Sequence, residues 1–130
     1  MKVLLDTHCW LWWLAEPEKL SDKVIGIIGS PDNEIFISSA SSWEIAIKYA
    51  SGKLPLPEKP EHYVMSRLQR DGFMTLKIEH LHALKAGALP LHHNDPFDRM
   101  LIAQAQVEKI PIITSDKKFS MYDVELIQAR

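Results

Sequence analysis

Lys2-Val3-Leu4-Leu5-Asp6 opens the chain with three consecutive apolar residues and stops at a carboxylate. An apolar run without polar alternation is typical of a strand that is buried on both faces, as strands of parallel sheets are. Similar short runs recur at residues 34–38, 73–76, 110–114 and 124–127. Between them lie segments whose apolar residues have helical spacing, at 8–15, 21–28, 42–50, 61–70, 78–88 and 96–108. This alternation predicts an α/β fold in which a central parallel sheet is flanked by helices.

The length and composition indicate one domain. The chain has 130 residues, 46% of them hydrophobic, which allows one well-packed core and is too short for two ordinary domains. We therefore expect a single domain over residues 1–130. No signal peptide precedes Asp6, and no apolar stretch approaches the roughly 20 residues of a membrane helix. The single cysteine, Cys9, lies in an apolar helical run, so we expect a buried thiol and a reducing, cytoplasmic location without membrane association.

The charge balance gives no general argument for a polyanionic partner and counts mildly against a protein that acts on nucleic acid. A net charge of −2 lacks the basic excess that is common among nucleic-acid-binding proteins. Individual basic residues either form a phosphate-contacting rim around an acidic centre or are ordinary solvated surface charges. They are Lys48, Lys53, Arg67, Arg70, Arg99, Lys117 and Lys118.

Four acidic residues stand where the predicted strands end. Asp6 follows the first strand, Glu44 lies in the first turn of the helix after the second, and Asp116 follows the strand that ends at residue 114. In an open parallel sheet, ligands bind beyond the carboxyl ends of the strands. Asp98 lies in the first turn of the helix that Pro96 opens, and it shares this edge if that helix approaches from a neighbouring connection.

Each acid also has a simpler explanation as a helix cap. Ser41 and Glu44 have the spacing of a capping box, Asp95 can cap the helix that contains Asp98, and Asp6 can cap the helix after its strand. Asp116 has the same alternative. Capping gives no reason, however, for four acids to meet at one edge, because two carboxylates about 5 Å apart repel by roughly 3 kcal/mol. Such a cluster needs a cation or shared protons.

Oxygen ligands without a cysteine cluster select Mg²⁺ or Mn²⁺. A metal of this kind can activate water for attack on a phosphodiester and stabilise the departing oxygen. The chain has no Ser-His-Asp or Cys-His arrangement and no glycine-rich phosphate loop. The pattern therefore favours metal-dependent phosphodiester hydrolysis.

At these residues the sequence resembles the PIN-domain nucleases, and more closely the VapC-like toxins of bacterial toxin-antitoxin pairs. The resemblance runs in the family's order from Met1 to about Ile127, and its most specific stretch is the third of four segments. The segments are Leu4-Leu5-Asp6-Thr7-His8; Ser42-Trp43-Glu44-Ile45-Ala46-Ile47-Lys48 with Gly52-Lys53-Leu54; Leu91-His92-His93-Asn94-Asp95-Pro96-Phe97-Asp98-Arg99-Met100-Leu101-Ile102-Ala103-Gln104-Ala105; and Thr114-Ser115-Asp116 with Phe119.

The resemblance implies a three-layer PIN-like fold and an endoribonuclease that binds Mg²⁺ or Mn²⁺ and cuts RNA. By this resemblance Asp6, Asp98 and Asp116 bind metal, and Glu44 completes the pocket directly or through water. It also implies a VapB-like antitoxin that covers the acidic pocket, often with an arginine, and a homodimer. A pocket of unpaired carboxylates would attract such a guanidinium.

Other residues of these segments receive weaker assignments. Asp95 is either a fifth acid or a helix cap, and Arg99 either reaches a scissile phosphate or makes a surface ion pair. Thr114 or Ser115 is expected to orient a carboxylate or a water. For His92 and His93 we expect loop packing or hydrogen bonding rather than metal binding, and for the tryptophans packing or an interface rather than base stacking. The tryptophans are Trp10, Trp12, Trp13 and Trp43.

Three other classes of protein compete with this interpretation. A phosphoacceptor receiver module would need a second acid beside Asp6 and a lysine after the last strand, and a phosphatase with an aspartyl nucleophile would need an acid where His8 stands. The third is a PIN scaffold that binds RNA or regulates a partner with little or no nuclease activity, and the sequence leaves it open.

Overall fold

The computed structural model describes every residue from Met1 to Arg130, and its centre is one sheet of five parallel strands. The strand order is β3-β2-β1-β4-β5. All four neighbouring pairs are parallel, so the carboxyl ends of all strands lie at one edge. The strands are β1 (Lys2–Leu5), β2 (Glu34–Ser38), β3 (Met74–Leu76), β4 (Ile112–Thr114) and β5 (Leu126–Gln128).

Six α-helices cover the sheet, and two short 3₁₀ helices, Pro17–Lys19 and Lys117–Met121, were not predicted. None of the α-helices combines the length and the hydropathy needed to cross a bilayer. The helices are α1 (Thr7–Ala15), α2 (Asp22–Gly29), α3 (Ser39–Ala50), α4 (Pro60–Asp71), α5 (His80–Ala88) and α6 (Pro96–Glu108).

Successive residues of β1 point into two different cores. Val3 and Leu5 belong to a cluster that includes Trp10 of α1, whereas Leu4 belongs to a second cluster with Leu101 of α6. All five side chains are fully buried. The apolar run of β1 is therefore explained by helices on both faces, and the predicted three-layer α/β fold is confirmed.

Helix α3 begins three residues earlier than predicted. Ser38 is its N-cap, and the Ser38 hydroxyl accepts a hydrogen bond of 3.0 Å from the Ala40 amide. Ser41 and Glu44 therefore lie inside the helix, and the predicted capping box is wrong. The Ser41 side chain instead accepts a hydrogen bond of 2.8 Å from the Thr7 hydroxyl, which joins α3 to α1.

Three elements begin two residues later than predicted. Strand β4 starts at Ile112 because Lys109, with a φ of 57°, ends α6 in a left-handed conformation and Pro111 follows. Strand β5 starts at Leu126, where pairing with Ile112 begins. Helix α5 starts at His80 because the preceding Glu79 is its N-cap.

Candidate active site

Asp6 lies at the end of the central strand and is 96% buried, since its relative exposure is 4%. It is the N-cap of α1, and its Oδ1 atom accepts a hydrogen bond of 2.7 Å from the Cys9 amide. Burial raises the pKa of this carboxyl above its usual range, although the hydrogen bonds from Thr114 and Cys9 oppose the rise. Asp6 is therefore both a helix cap and a member of the acidic site.

Thr114 connects two of the predicted acids. Its hydroxyl donates a short hydrogen bond to Oδ2 of Asp6 and accepts one of 3.0 Å from the Asp116 amide. This is the orienting contact that the family resemblance implied for Thr114 or Ser115. Because β1 and β4 are neighbours in the sheet, the tertiary structure brings Asp6 and Asp116 together across 110 residues of sequence.

Asp98 is the residue on which the negative charge converges. Its pKa is raised to about 7, first by burial and then by the charges of Asp95, Glu44, Asp116 and Asp6. Helix α6 runs back along the sheet into β4, so its N-terminus lies at the carboxyl edge of the sheet. The contact between Trp43 of α3 and Phe97 of α6, with ring centroids 5.3 Å apart, joins the helices that carry Glu44 and Asp98.

Glu44 is almost fully buried, with an exposure of 3%. Its Oε2 atom accepts a hydrogen bond of 2.6 Å from Nζ of Lys48, one helical turn later, whereas Oε1 is buried without any hydrogen-bond partner. A buried carboxylate oxygen without a partner is costly unless a ligand satisfies it. Sequence reasoning placed Lys48 only in a general basic rim and missed this pair.

Asp95 and Asp116 also serve as caps. Both Phe97 and Asp98 donate their amides to Oδ1 of Asp95, at 2.9 and 3.0 Å, as the alternative reading of Asp95 predicted. Asp116 accepts from the Lys118 amide at the start of the second 3₁₀ helix. Asp116 remains half-buried beside Thr114, so its cap role does not remove it from the acidic site.

The structure corrects the prediction for Arg99. This side chain is only 8% exposed, and its guanidinium donates to the backbone carbonyls of Ala86, Leu89 and Pro90 at 2.9 to 3.0 Å. It makes no surface ion pair, and both of its terminal nitrogens already bond to carbonyls, which argues against contact with a scissile phosphate. Arg99 instead satisfies the carbonyl groups at the end of α5 and so ties α5 to α6.

The two adjacent histidines differ in placement. His92 is exposed, and its ring lies 5.0 Å from that of Tyr122. His93 is half-buried, and its Nδ1 atom lies 2.9 Å from the Tyr122 hydroxyl. The expected loop packing is confirmed for His92, and the expected hydrogen bonding is confirmed for His93.

The donor set suits a hard divalent cation that retains water. No three carboxylate, imidazole or thiolate groups lie close enough together to ligate one ion directly. Mg²⁺ is commonly held by one or two carboxylates, several waters and substrate phosphate oxygens, so it does not require a closed cage. The unpartnered Oε1 of Glu44 and the raised pKa of Asp98 both indicate uncompensated negative charge, which a cation would relieve.

A cleft of about 380 Å³ lies beside the acids, and Glu44 and Lys48 are among the residues that line it. Trp12 lines it, and cations lie near the indole: Nζ of Lys19 is 5.8 Å from the ring centroid and the Arg130 guanidinium carbon is 5.4 Å away. Lys53 and His8 are exposed at its rim. The cleft thus combines an aromatic surface with positive charge next to the carboxylates.

Comparison with known proteins places the chain in a family. The family model described as "PIN domain" matches residues 3–125. The chain therefore belongs to the PIN-domain family, and the resemblance inferred from the four segments is confirmed.

Two curated relatives come from Mycobacterium tuberculosis. The chain is 32% identical to Ribonuclease VapC22 over 119 residues, which cover 89% of this chain and 88% of that protein. It is 46% identical to Ribonuclease VapC16 over 56 residues, which cover only 43% of this chain and 40% of that protein.

Among solved structures, VapBC2 from Rickettsia felis, bound to a promoter DNA fragment, superposes with a TM-score of 0.76 at 17% identity, and the superposition covers 100% of both chains. That similarity supports the fold.

Proposed function

We propose that this protein is a Mg²⁺- or Mn²⁺-dependent endoribonuclease that acts as the toxin of a toxin-antitoxin pair. The observation that carries the proposal is the convergence of charge from Asp95, Glu44, Asp116 and Asp6 on the half-buried Asp98 at the carboxyl edge of the sheet. Membership of the PIN-domain family and the similarity to proteins named ribonucleases support the same reaction.

Each acid has a role in the proposed reaction. Asp6, Asp98 and Asp116 would hold the cation, one or two of them directly and the rest through bound water, with Glu44 acting directly or through water. When bound, the cation supplies an activated water for attack at phosphorus and stabilises the departing oxygen. Thr114 keeps Asp6 oriented and Lys48 neutralises one oxygen of Glu44, so the protein itself limits the repulsion among its acids.

RNA is the proposed substrate, and the cleft beside Glu44 is its proposed path. Stacking of bases on aromatic side chains and contact of phosphates with lysine are the two interactions that single-stranded nucleic acids use most. Lys53 and Trp12 both line this cleft, so Trp12, which we expected only to pack or form an interface, would also supply the stacking surface. Arg67 and Arg70 are less suited because each is already paired, with Glu58 and Asp71 respectively.

A VapB-like antitoxin and a second copy of this chain are the proposed protein partners. The solved neighbour from Rickettsia felis is a VapBC assembly, and the acids of the site suit a guanidinium from an antitoxin segment.

For the homodimer, exposed apolar side chains of α3 and α4 form a candidate surface, namely Trp43, Ile47 and Met65. Light scattering on the purified chain, and on a Met65→Lys variant, tests the dimer: we expect a twofold larger mass only without the substitution.

The activity test uses purified protein freed of any antitoxin and a labelled structured RNA. We expect cleavage with Mg²⁺ or Mn²⁺ and none with EDTA. Asp6→Asn and Asp98→Asn should each lower the rate more than about 100-fold, because even changes around metal ligands cost 10- to 100-fold. Asp123→Asn, at an exposed acid outside the site, is the matched control and should cut normally.

The result also decides between the nuclease and a non-cutting PIN scaffold. If the chain bound RNA with or without the four acids but cut none at any metal concentration, it would be an RNA-binding or regulatory module. If Asp98→Asn cut RNA at the unsubstituted rate, the assignment of the metal site would be wrong.

A further inference from the structure

His93 lies in the loop before α6 and presents one nitrogen to an acid of the proposed metal site. Its side chain is only 9% exposed. Its Nε2 atom lies 3.4 Å from Oδ2 of Asp98 and has no hydrogen-bond partner. Its other nitrogen, Nδ1, lies 2.9 Å from the Tyr122 hydroxyl. A buried imidazole nitrogen without a partner calls for an explanation.

The hydrogen bonds around Tyr122 determine which nitrogen of His93 carries the proton. The Tyr122 hydroxyl accepts from the His93 amide at 3.2 Å and from Nη1 of Arg99 at 3.4 Å. A hydroxyl has two acceptor lone pairs and one proton, so the Tyr122 proton is left to donate to Nδ1 of His93. An imidazole whose Nδ1 accepts carries its own proton on Nε2. The free Nε2–H group therefore faces Asp98.

We propose that His93 is a positioning residue for Asp98, an inference that rests on the proposed metal-dependent function. Its Nε2–H group donates to Oδ2 of Asp98 and leaves the other carboxylate oxygen to face the remaining acids and the cation. The present separation of 3.4 Å exceeds an ordinary N–H···O distance by about half an ångström, which a small rotation of the Asp98 carboxylate would remove. Tyr122 and Arg99 support this contact indirectly: Arg99 donates to the Tyr122 hydroxyl, and that hydroxyl fixes the tautomer of His93.

This arrangement resembles the outer shell of many metal sites, in which a second group fixes the orientation of a ligand. Here the usual order is reversed, because the carboxylate is the proposed ligand and the histidine is its support. It also gives Arg99 a place in the site, although Arg99 itself does not reach the acids.

Binding of Mn²⁺, measured by calorimetry on the full chain, tests the proposal without requiring turnover. His93→Ala should weaken Mn²⁺ binding by about 10- to 100-fold. His93→Gln places an amide N–H near the position of Nε2 and should restore binding to within a few-fold of the unsubstituted chain. His92→Ala is the matched control, because His92 is the exposed neighbour on the same loop, and it should bind Mn²⁺ normally.

A second measurement examines the tautomer directly and needs no metal. Nitrogen-15 spectra of labelled protein distinguish the two neutral forms of imidazole, and we expect His93 to carry its proton on Nε2. Tyr122→Phe removes the hydroxyl that fixes this form, so it should mix the two tautomers and weaken Mn²⁺ binding. In cleavage assays His93→Ala should raise the metal concentration for half-maximal rate while leaving the KM for RNA unchanged.

The outcomes separate this proposal from the proposed function. If the unsubstituted chain binds Mn²⁺ and cuts RNA, and His93→Ala does both equally well, the role of His93 is refuted and the nuclease stands. A proton on Nδ1, or equal losses in His93→Ala and His93→Gln, would also refute it. If the unsubstituted chain neither binds Mn²⁺ nor cuts RNA, the proposed function fails and the role of His93 falls with it.

Discussion

Replacement of Asp98 by Asn should make the fold more stable while it removes the proposed activity. The pKa of Asp98 in the fold is about 7, against 3.8 for the free side chain. That difference corresponds to at most about 4 kcal/mol of unfavourable free energy when the carboxylate is charged. Because the side chain is 22% exposed, solvent screens part of this energy, and we expect a gain of about 1–2 kcal/mol at pH 8.

The sign of the pH dependence follows from the raised pKa. Between about pH 4 and pH 7 the folded state binds more protons at Asp98 than the unfolded chain does. The stability contributed by this group therefore falls as the pH rises through that window, and it stays low above pH 7. The advantage of Asn over Asp should accordingly grow from pH 5 to pH 8.

The measurement is thermal and urea unfolding in EDTA at both pH values. A gain of 1–2 kcal/mol corresponds to a rise in Tm of about 3–8 °C for a chain of this size. Asp123→Asn controls for the loss of one surface charge and should shift Tm little. If Asp98→Asn were less stable than the unsubstituted chain at pH 8, or if its gain were the same at pH 5, Asp98 would not be the focus of repulsion.

Four further predictions concern the acids and the scaffold around them. Mg²⁺ should raise the Tm of the unsubstituted chain more at pH 8 than at pH 5, because protons and the cation compete for the same carboxylates; an equal rise would contradict this. Thr114→Val should destabilise by about 1–3 kcal/mol in urea titrations, since it leaves buried partners unpaired, whereas Thr114→Ser should cost less. Arg99→Leu should lower stability by about 2–4 kcal/mol, because it strips the donors from buried carbonyls of α5. Gly72→Ala, at a φ of 67°, should destabilise by about 1 kcal/mol, whereas Gly26→Ala, in helix α2 with open space around it, should stabilise by about 0.5–1 kcal/mol.

The sequence was sufficient to predict the layers of the fold. The apolar runs of β1 and β2 identify buried strands. Helices cover both faces of a parallel sheet, so the residues that point to either face are shielded from water and are apolar. Helix starts with strong local signals were also predictable, as at Ser21 and Asp95, because a cap depends on residues within three positions of itself.

Local signals failed where a neighbouring element decided the outcome. The Ser41–Glu44 spacing matched a capping box, yet Ser38 caps α3 and Ser41 bonds to Thr7 of α1 instead. Likewise Arg99 stood next to Asp98 in a family motif, and its position suggested a phosphate contact. The direction of its side chain depends on the carbonyls of α5, which lie about ten residues earlier and become neighbours only when α5 packs on α6.

By itself, the sequence determined the fold class and the family, and it predicted the four acids of the site, because apolar periodicity and the order of motifs are properties of the linear sequence. Only the tertiary structure decided how strongly those acids interact and which groups support them. The raised pKa of Asp98, the Thr114 bridge between Asp6 and Asp116, and the approach of His93 to Asp98 all depend on distances between residues of different elements. Electrostatic energy varies with separation and burial in space, and neither quantity can be read from spacing along the chain.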